Sequence, residues 1–242
     1  MSKVYADTVE ASDDQSNLVL GATGDSVTVG GTSINANIVQ DSGGNVLFQS
    51  DGTGTLSNVN SGFANNLHLL TTQTITSEVS SVDFTTKIDS TYDAYVFQII
   101  NAWPSEDTRY LQFAASTVGG SGWANNIVGS FWAVSKAESG SSNAPSYQSD
   151  RDTPNTTPCK ISSEMGNDSD EAGTITLNLF SPSSTTFAKV FYTESQILQS
   201  SSYSNQDFVA GYINTSDAVN AIKFYYTSGN VGQGIFKLYG IL

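Results

Sequence analysis

Alternation of apolar and polar side chains dominates the chain from residue 67 onward, and this pattern predicts β-strands. It is plainest at residues 95–99 and 174–179, where every second side chain is apolar. Successive side chains of a strand point to opposite faces of a sheet, so a period of two is typical of strands with one buried face. By this pattern we predict strands at 67–76, 82–88, 92–102, 109–118, 127–134, 159–164, 173–180, 187–199, 208–213, 222–226 and 234–241.

The last two predicted strands flank a glycine-rich turn. Ile222, Phe224 and Tyr226 share one side of the first strand, and Phe236 and Leu238 share one side of the second. The segment between the strands reads Ser-Gly-Asn and then Gly-Gln-Gly, which is typical of a tight turn. The pattern therefore predicts a β-hairpin that closes a β domain.

Residues 137–158 form a long polar stretch without a hydrophobic period. We predict an exposed loop there, because its backbone could not be satisfied in a core. Strand-favouring residues separated by turn residues, with few helix-favouring ones, predict an all-β protein. Residues 63–242 are accordingly predicted to form an antiparallel, jelly-roll-like β-sandwich, the head domain.

Residues 1–62 have a different amino-acid composition, with Tyr5 and Phe48 as their only aromatic side chains. Short aliphatic runs that begin at Asn17 and Asn45 recur 28 residues apart, which predicts extended strand-turn repeats. Such a segment has too little apolar bulk to offset its own ordering entropy, so we expect other chains to complete it. Intertwining in a homotrimer, as an attachment or shaft segment, is preferred over packing on a different protein.

The composition argues against several classes of function. Nine Lys and Arg residues stand against twenty-three Asp and Glu, for a formal net charge of −14. No basic stripe is present to neutralise phosphates, so we expect neither a nucleic-acid partner nor attraction to anionic membranes. The sequence has no signal-peptide pattern and no apolar run of about 18 residues, so no membrane insertion is predicted. The single cysteine, Cys159, provides no disulfide framework, and no cofactor is predicted.

Patterns that carry catalysis or metal binding are weak. His68 is the only histidine and no Gly-x-Ser-x-Gly elbow is present, so we interpret His68 as a structural strand residue. A glycosidase needs two carboxylates that flank a sugar, one of them in an apolar setting. The acids considered lie in polar segments and are predicted to be solvated: Glu106, Asp107, Asp150, Asp152, Asp168, Asp170 and Glu171. The run 167–171 could offer oxygen ligands to Ca²⁺ but lacks the spacing of an EF-hand, so neither a metal site nor an enzyme is predicted.

Aromatic residues outside the predicted core are the strongest candidates for receptor binding. Trp103 stands at a strand end, Trp123 follows a glycine-rich run, and Tyr147 and Tyr203 lie in segments predicted to be polar loops. A rigid ring on a loop suits stacking on a sugar or anchoring a protein contact. The alternative is that these rings cap the ends of the sandwich. Trp132, inside an apolar run, is predicted to be a core residue.

Both ends of the chain resemble tailed-bacteriophage virion proteins. The final segment, with its aromatic strand, Ser-Gly-Asn turn and glycine-spaced strand ending in Leu-Tyr-Gly-Ile, resembles the closing hairpin of tail fibre and head fibre proteins. The opening MSKVYADTVEA is similar to a short attachment strand in marine-phage members of that group. The resemblance implies residence in the virion, contact with other virion proteins through Val4, Tyr5 and Val9, and a host surface glycan or protein as a further partner.

Three functions remain open at this point. A trimeric tail fibre or spike would bind the host cell surface through loops of the head domain. A capsid decoration or head fibre protein would bind capsids through its N-terminal segment. A depolymerase would cleave host polysaccharide, and it is the least favoured because no catalytic pattern supports it.

Overall fold

The computed structural model describes residues 38–41, 43–50, 56–57 and 67–241. The chain divides into two compact units, Met1–Phe63 and Ala64–Leu242. The attachment residues predicted in the N-terminal segment, Val4, Tyr5 and Val9, lie outside the described residues, as does the first of the predicted repeats.

The described part of the first unit is a small antiparallel sheet of three short strands. The turn between the first two is closed by Asp41, whose Oδ1 accepts hydrogen bonds from the amides of Gly43 and Asn45 at 2.8 and 2.9 Å. Hydrogen bonding from the Asn45 side chain lowers the pKa of the Asp41 carboxyl most, and the two backbone bonds lower it further. The strands are β1 (Ile38–Gln40), β2 (Val46–Ser50) and β3 (Leu56–Ser57).

The second unit, called the head below, contains thirteen strands, and its described residues include no helix. Eleven of the strands overlap those predicted from alternation, whereas β9 and β10 were not predicted. The largest differences are at β5, which ends at Phe84, and at β14, which begins at Tyr203. The strands are β4 (Leu67–Ile75), β5 (Val82–Phe84), β6 (Ala94–Pro104), β7 (Arg109–Ser116), β8 (Ile127–Ala137), β9 (Ser142–Tyr147), β10 (Thr153–Thr156), β11 (Cys159–Met165), β12 (Gly173–Phe180), β13 (Lys189–Gln199), β14 (Tyr203–Ile213), β15 (Ala221–Tyr226) and β16 (Val231–Ile241).

The head strands form two antiparallel sheets of unequal size. The large sheet has nine strands, ordered β10-β8-β14-β13-β12-β6-β16-β4, with β9 paired to the same edge of β8 as β10. The small sheet has four strands, ordered β11-β7-β15-β5. The chain crosses between the sheets repeatedly, which is typical of antiparallel sandwiches. The predicted all-β antiparallel sandwich is confirmed.

The core lies between the two sheets and is held by phenylalanine rings from both. The Phe97 ring of the large sheet lies 5.3 Å from the rings of Phe84 and Phe224 in the small sheet, in edge-on geometry. The Phe236 ring of the large sheet lies 6.2 Å from that of Phe224. All four side chains are buried, and burial of each contributes about 1.5–3 kcal/mol to folding.

The predicted C-terminal hairpin is wrong, although the faces predicted to be buried are buried. The strand β15 pairs with β5 and β7 in the small sheet, whereas β16 pairs with β4 and β6 in the large sheet. The turn at 227–230 therefore carries the chain across the sandwich. A period of two specifies which side chains are buried, but it does not specify the hydrogen-bonded partner of a strand.

The predicted loop at 137–158 is also wrong, because it contains β9 and β10. Both strands pair with β8, and a turn at 148–152 separates them. At this turn the Gln148 amide donates to the Phe131 carbonyl at 2.8 Å, and the Asp152 carboxylate accepts from the Phe131 amide at 2.9 Å. The side chains of β9 and β10 are almost all exposed, so these edge strands carry no hydrophobic period. Pro145 and Pro154 lie in them, which edge strands tolerate.

A buried carboxylate ties the two sheets together near this edge. Asp207 of β14 accepts hydrogen bonds from the backbone amide and the hydroxyl of Ser163 in β11, both at 2.6 Å. The hydroxyl of Ser195 in β13 donates to the same carboxylate at 3.0 Å. Asp207 is fully buried, and this burial raises its pKa, an effect that the three hydrogen bonds only partly offset.

Replacement of Asp207 by Asn should change how stability depends on pH. Because the pKa of Asp207 is raised on folding, the folded chain holds this proton more readily, and its contribution to stability falls as pH rises from about 4 through the folded pKa. In urea unfolding measured across that pH range, the free energy of unfolding of Asp207→Asn should therefore fall less steeply with pH than that of the unmodified chain. Asp107→Asn removes an exposed carboxylate and controls for net charge, and equal slopes in all three proteins would contradict the account.

Candidate functional site

The outer face of the large sheet carries an array of solvent-exposed aromatic side chains. Alternation along β8, β12, β13 and β14 turns one set of side chains into the core and the other toward solvent. Contiguous exposed apolar surface of this kind is uncommon on soluble proteins and is typical of a binding site. We call the array the aromatic face; its side chains are 38–50% exposed, and its members are Trp132, Tyr147, Phe180, Tyr192, Phe208 and Tyr212.

Strand register brings these rings together. Trp132 of β8 lies directly opposite Phe208 of β14 on one side and Tyr147 of β9 on the other. The Trp132 and Tyr147 ring centroids are 5.5 Å apart. Further across the sheet, the rings of Phe180 and Tyr192 stack with their centroids 5.9 Å apart. The rings are therefore placed by sheet backbone rather than by flexible loops.

A shallow depression of about 320 Å³ lies within the aromatic face. Ser130 and Ala210, which lie opposite each other on β8 and β14, line it with small side chains, and Tyr147 and Tyr212 rise at its sides. Gly211 allows the two strands to approach here, because a Cβ at that position would lie 1.9 Å from the Val128 carbonyl oxygen.

One carboxylate stands at the rim of the depression. Asp152 lines it and accepts a hydrogen bond from the Tyr147 hydroxyl, besides the bond from the Phe131 amide. The bond to Asp152 raises the pKa of Tyr147, with smaller contributions from burial and from the carboxylate charge. The tyrosine therefore remains a neutral phenol at physiological pH, and its ring is held in place beside Trp132.

The aromatic face is nearly free of charge, although the chain as a whole is strongly acidic. Along the outward-facing positions of β8, β12, β13 and β14, Lys136 and Glu194 are the charged side chains. An uncharged partner can thus bind to this face without removing water from many charged side chains of the protein. This combination of flat rings, small side chains and few charges suits a neutral, partly apolar ligand.

The structure separates the four predicted receptor-binding residues. Tyr147 belongs to the aromatic face, and Tyr203 lines a separate polar cavity on the inner side of β8 and β14. Both were predicted in loops, which is wrong, because Tyr147 ends β9 and Tyr203 begins β14. Trp123 is half-buried, with the Lys223 Nζ 4.5 Å from its ring centroid.

Trp103 lines a third depression, of about 460 Å³, at the end of β6. One side of its ring is covered by the backbone at Gly232, where a Cβ would lie 2.2 Å from a ring carbon. Its indole nitrogen donates to the Asp168 carbonyl at 3.2 Å. The Trp103 ring is thus held firmly in a groove that Asp170 and Glu171 also line, remote in sequence from the aromatic face.

Most of the aromatic face was missed from sequence. Trp132 was predicted to be a core residue, which is wrong: it is 49% exposed, while its neighbour Phe131 is fully buried. Adjacent apolar residues at 131–132 and 190–192 occupy both faces of their strands. Apolar residues at consecutive positions, rather than alternate ones, were the available sign that both sides of these strands carry apolar surface.

Two of the acids considered for catalysis, Glu106 and Glu171, make structural contacts. Glu171 was predicted to be solvated, which is wrong, because it is buried and accepts a hydrogen bond from the Asp168 amide at 2.9 Å. Glu106 accepts two hydrogen bonds from the Arg109 guanidinium, at 2.9 and 3.0 Å. His68 lies on β4 with its ring centroid 5.7 Å from that of Tyr92.

The described part of the chain contains neither a metal-binding cluster nor a membrane-spanning helix. No group of three or more His, Cys, Asp and Glu side chains there is arranged to hold a metal ion. Within the same residues, no helix has the length and apolar character needed to cross a membrane. Cys159 is buried as a free thiol, and burial raises its pKa to about 12.

Substitution of Gly211 by Ala should destabilise the head. The new Cβ would meet the Val128 carbonyl, so β8 and β14 would have to move apart, at a cost of about 1–3 kcal/mol in the free energy of unfolding. Ala210→Ser, next to it but facing solvent, serves as the matched control and should be close to neutral in denaturant unfolding. A Gly211→Ala variant as stable as the unmodified chain would show that the strands do not approach as described.

Comparison with known proteins places the chain in no family. No protein-family model, no curated protein sequence and no solved structure matches it.

Proposed function

We propose that this chain is a structural, non-enzymatic protein of a bacteriophage virion, a tail fibre or spike whose head binds a glycan on the host cell surface. The resemblance of both chain ends to tailed-phage virion proteins supports the assignment to a particle. The observation that carries the binding role is the aromatic face with its central depression. In this proposal the protein resides in the virion, outside cells once particles are released and in the host cytoplasm during assembly.

The chemistry of the aromatic face fits a sugar ring. One face of a pyranose presents mainly C–H groups, which pack on a flat aromatic ring, while its hydroxyls point outward to polar partners. Trp132 and Tyr147 offer such rings 5.5 Å apart. Tyr147 also lines the depression, where Asp152 and Ser130 offer oxygen atoms. Nucleic acid would also stack on aromatic rings, but its phosphates would be repelled by a chain of net charge −14.

The rigidity of the face favours binding by a pre-formed surface. Each ring stands on a strand that pairs with neighbours on both sides, except Tyr147, which ends the edge strand β9. Tyrosine and tryptophan have few rotatable bonds, so little conformational entropy is lost when a ligand covers them. A single site of this size binds a glycan weakly. We propose that the chain forms a homotrimer in the particle, so that three copies of the site bind at once and raise the overall affinity.

A second candidate is a capsid decoration or head fibre protein. The feature that favours it is the near absence of charge on the aromatic face, which would let it pack against another virion protein in spite of the acidic chain. In that case the partner would be a protein surface and not a glycan. The two candidates differ in what the same rings contact.

The test uses the full-length chain on an array of bacterial surface polysaccharides and on purified capsids. Trp132→Ala and Tyr147→Ala each remove one exposed ring, and we expect each to weaken glycan binding about tenfold or more. Trp123→Ala is the matched control, because it removes a half-buried ring outside the aromatic face and should leave binding unchanged. All variants should keep the circular dichroism of the unmodified chain.

The outcome separates the candidates. Glycan binding that depends on Trp132 and Tyr147 supports the host-attachment role. Capsid binding that depends on the same two rings, without glycan binding, supports the decoration role. Binding of neither, or binding indifferent to both substitutions, would overturn the proposal that the aromatic face is the functional site.

A further inference from the structure

A polar cavity of about 240 Å³ lies on the inner side of the large sheet, opposite the aromatic face. It sits where the inward-facing side chains at one end of β8 and β14 meet Ser163 of β11, the edge strand of the small sheet. The turn at 148–152 forms its remaining wall and brings in Gln148 and Arg151. Nine of its ten lining residues have polar side chains. This is unusual, because space between two sheets is normally filled with apolar groups.

The cavity wall carries more hydrogen-bonding capacity than the chain itself uses. Asn205 is only 5% exposed; its Nδ2 donates to Gln199 Oε1 at 3.1 Å, but its Oδ1 has no partner within the described residues. Arg151 Nε is likewise buried without a hydrogen-bond partner there. The hydroxyl of Tyr203 and the side-chain carbonyl of Gln148, whose Nε2 donates to Ser146 Oγ at 2.7 Å, add further hydrogen-bonding groups. A ligand that both donates and accepts hydrogen bonds would match such a wall.

Arg151 is held in a fixed position. Its Nη1 donates to Ser163 Oγ at 2.8 Å, and its guanidinium carbon lies 5.6 Å from the ring centroids of both Tyr110 and Phe131. The chain has one other arginine, Arg109, which is fully engaged with Glu106. The Arg151 guanidinium, with its several N–H donors, is thus pre-organised at the edge of the cavity. This pre-organisation lowers the entropy cost of binding a ligand.

The charges around Arg151 determine which ligands the cavity accepts. Asp207 shares Ser163 with the guanidinium, Asp150 Oδ2 lies 3.9 Å from Arg151 Nε, and Glu164 Oε2 accepts from Gln199 Nε2 at 3.3 Å. Three carboxylates therefore lie in the neighbourhood of two cations, Arg151 and Lys160, both of which lie over the Tyr110 ring. An anionic ligand would gain the attraction of Arg151 but meet the repulsion of all three carboxylates, so the cavity favours an uncharged ligand.

We infer that this polar cavity binds one uncharged, hydroxyl-rich ring, such as a neutral hexose or N-acetylhexosamine residue. The volume lies below the range of about 300–1,000 Å³ typical of pockets for larger ligands, which suits a single ring. The Tyr203 ring supplies a flat wall for the sugar. Hydrogen-bond partners for several sugar hydroxyls come from the Arg151 guanidinium, the side-chain amides and the serine hydroxyls. The site is separate from the aromatic face and does not depend on its role.

The test measures binding of free sugars to the full-length chain by ligand-observed NMR. The panel contains D-glucose, D-galactose, D-mannose and N-acetyl-D-glucosamine, with D-glucuronate as the acidic comparison, each up to about 50 mM, above the millimolar range of weak single-site binding. We expect at least one neutral sugar to bind and glucuronate to bind at least about tenfold more weakly. Absence of binding by every neutral sugar overturns the inference, as does preference for glucuronate.

Variants locate the binding within the molecule. Ser146→Trp places a large ring at the exposed rim of the cavity without touching the core, so the head should fold and the sugar should no longer bind. Arg151→Lys keeps the charge but loses the fork of donors, and it should weaken binding about tenfold. Trp123→Ala, whose ring lies outside both the cavity and the aromatic face, is the control and should bind normally. Binding that survives Ser146→Trp unchanged would place the sugar outside the cavity and overturn the inference, and its loss in Trp132→Ala would then assign it to the aromatic face.

Discussion

The unequal size of the two sheets is the constraint on which the rest of the head depends. A four-stranded sheet cannot cover the whole inner face of a nine-stranded one, so the apolar core, which extends from Phe84 and Phe224 to Phe131 and Val209, ends part of the way along β8 and β14. Beyond the edge strand β11, the inner face of β8 and β14 changes from apolar to polar. The buried Asp207 with its serine partners marks that change, because a carboxylate can be buried only where hydrogen bonds replace its water.

The segment that closes this uncovered end also separates the two candidate binding sites. Strands β9 and β10 extend the large sheet along β8, and the turn between them reaches inward. Within the seven residues 147–153, Tyr147 and Asp152 belong to the outer depression, whereas Gln148 and Arg151 belong to the inner cavity. One short stretch of edge strand therefore shapes both surfaces. A glycan on the outer face and a single sugar inside would contact opposite sides of the same turn.

Local pattern was enough to predict much of this fold, and the exceptions share a physical cause. Alternation identifies the buried side of a strand, so the all-β class and the inward residues of β15 and β16 followed from sequence. It does not identify the partner strand, so a sheet-crossing turn looked like a hairpin. Fully exposed edge strands have no buried side, so β9 and β10 looked like a loop. Trp132 follows buried Phe131, and a run of apolar residues does not reveal which of them faces solvent. Tyr147 was a candidate from sequence, whereas Arg151 and the other rings needed strand register to bring them together.

Hydrogen exchange across residues 142–156 of the full-length chain tests the central claim most directly, namely that this polar segment is a sheet edge forming the wall between both sites. The account predicts slow exchange for amides that bond to β8, including that of Gln148, which donates to the Phe131 carbonyl at 2.8 Å. Residues 122–126, which lie outside the strands, provide the fast-exchanging reference within the same molecule. Exchange of the whole 142–156 segment as fast as that reference would show that it is a free loop, and both proposed sites would then lose their shared wall.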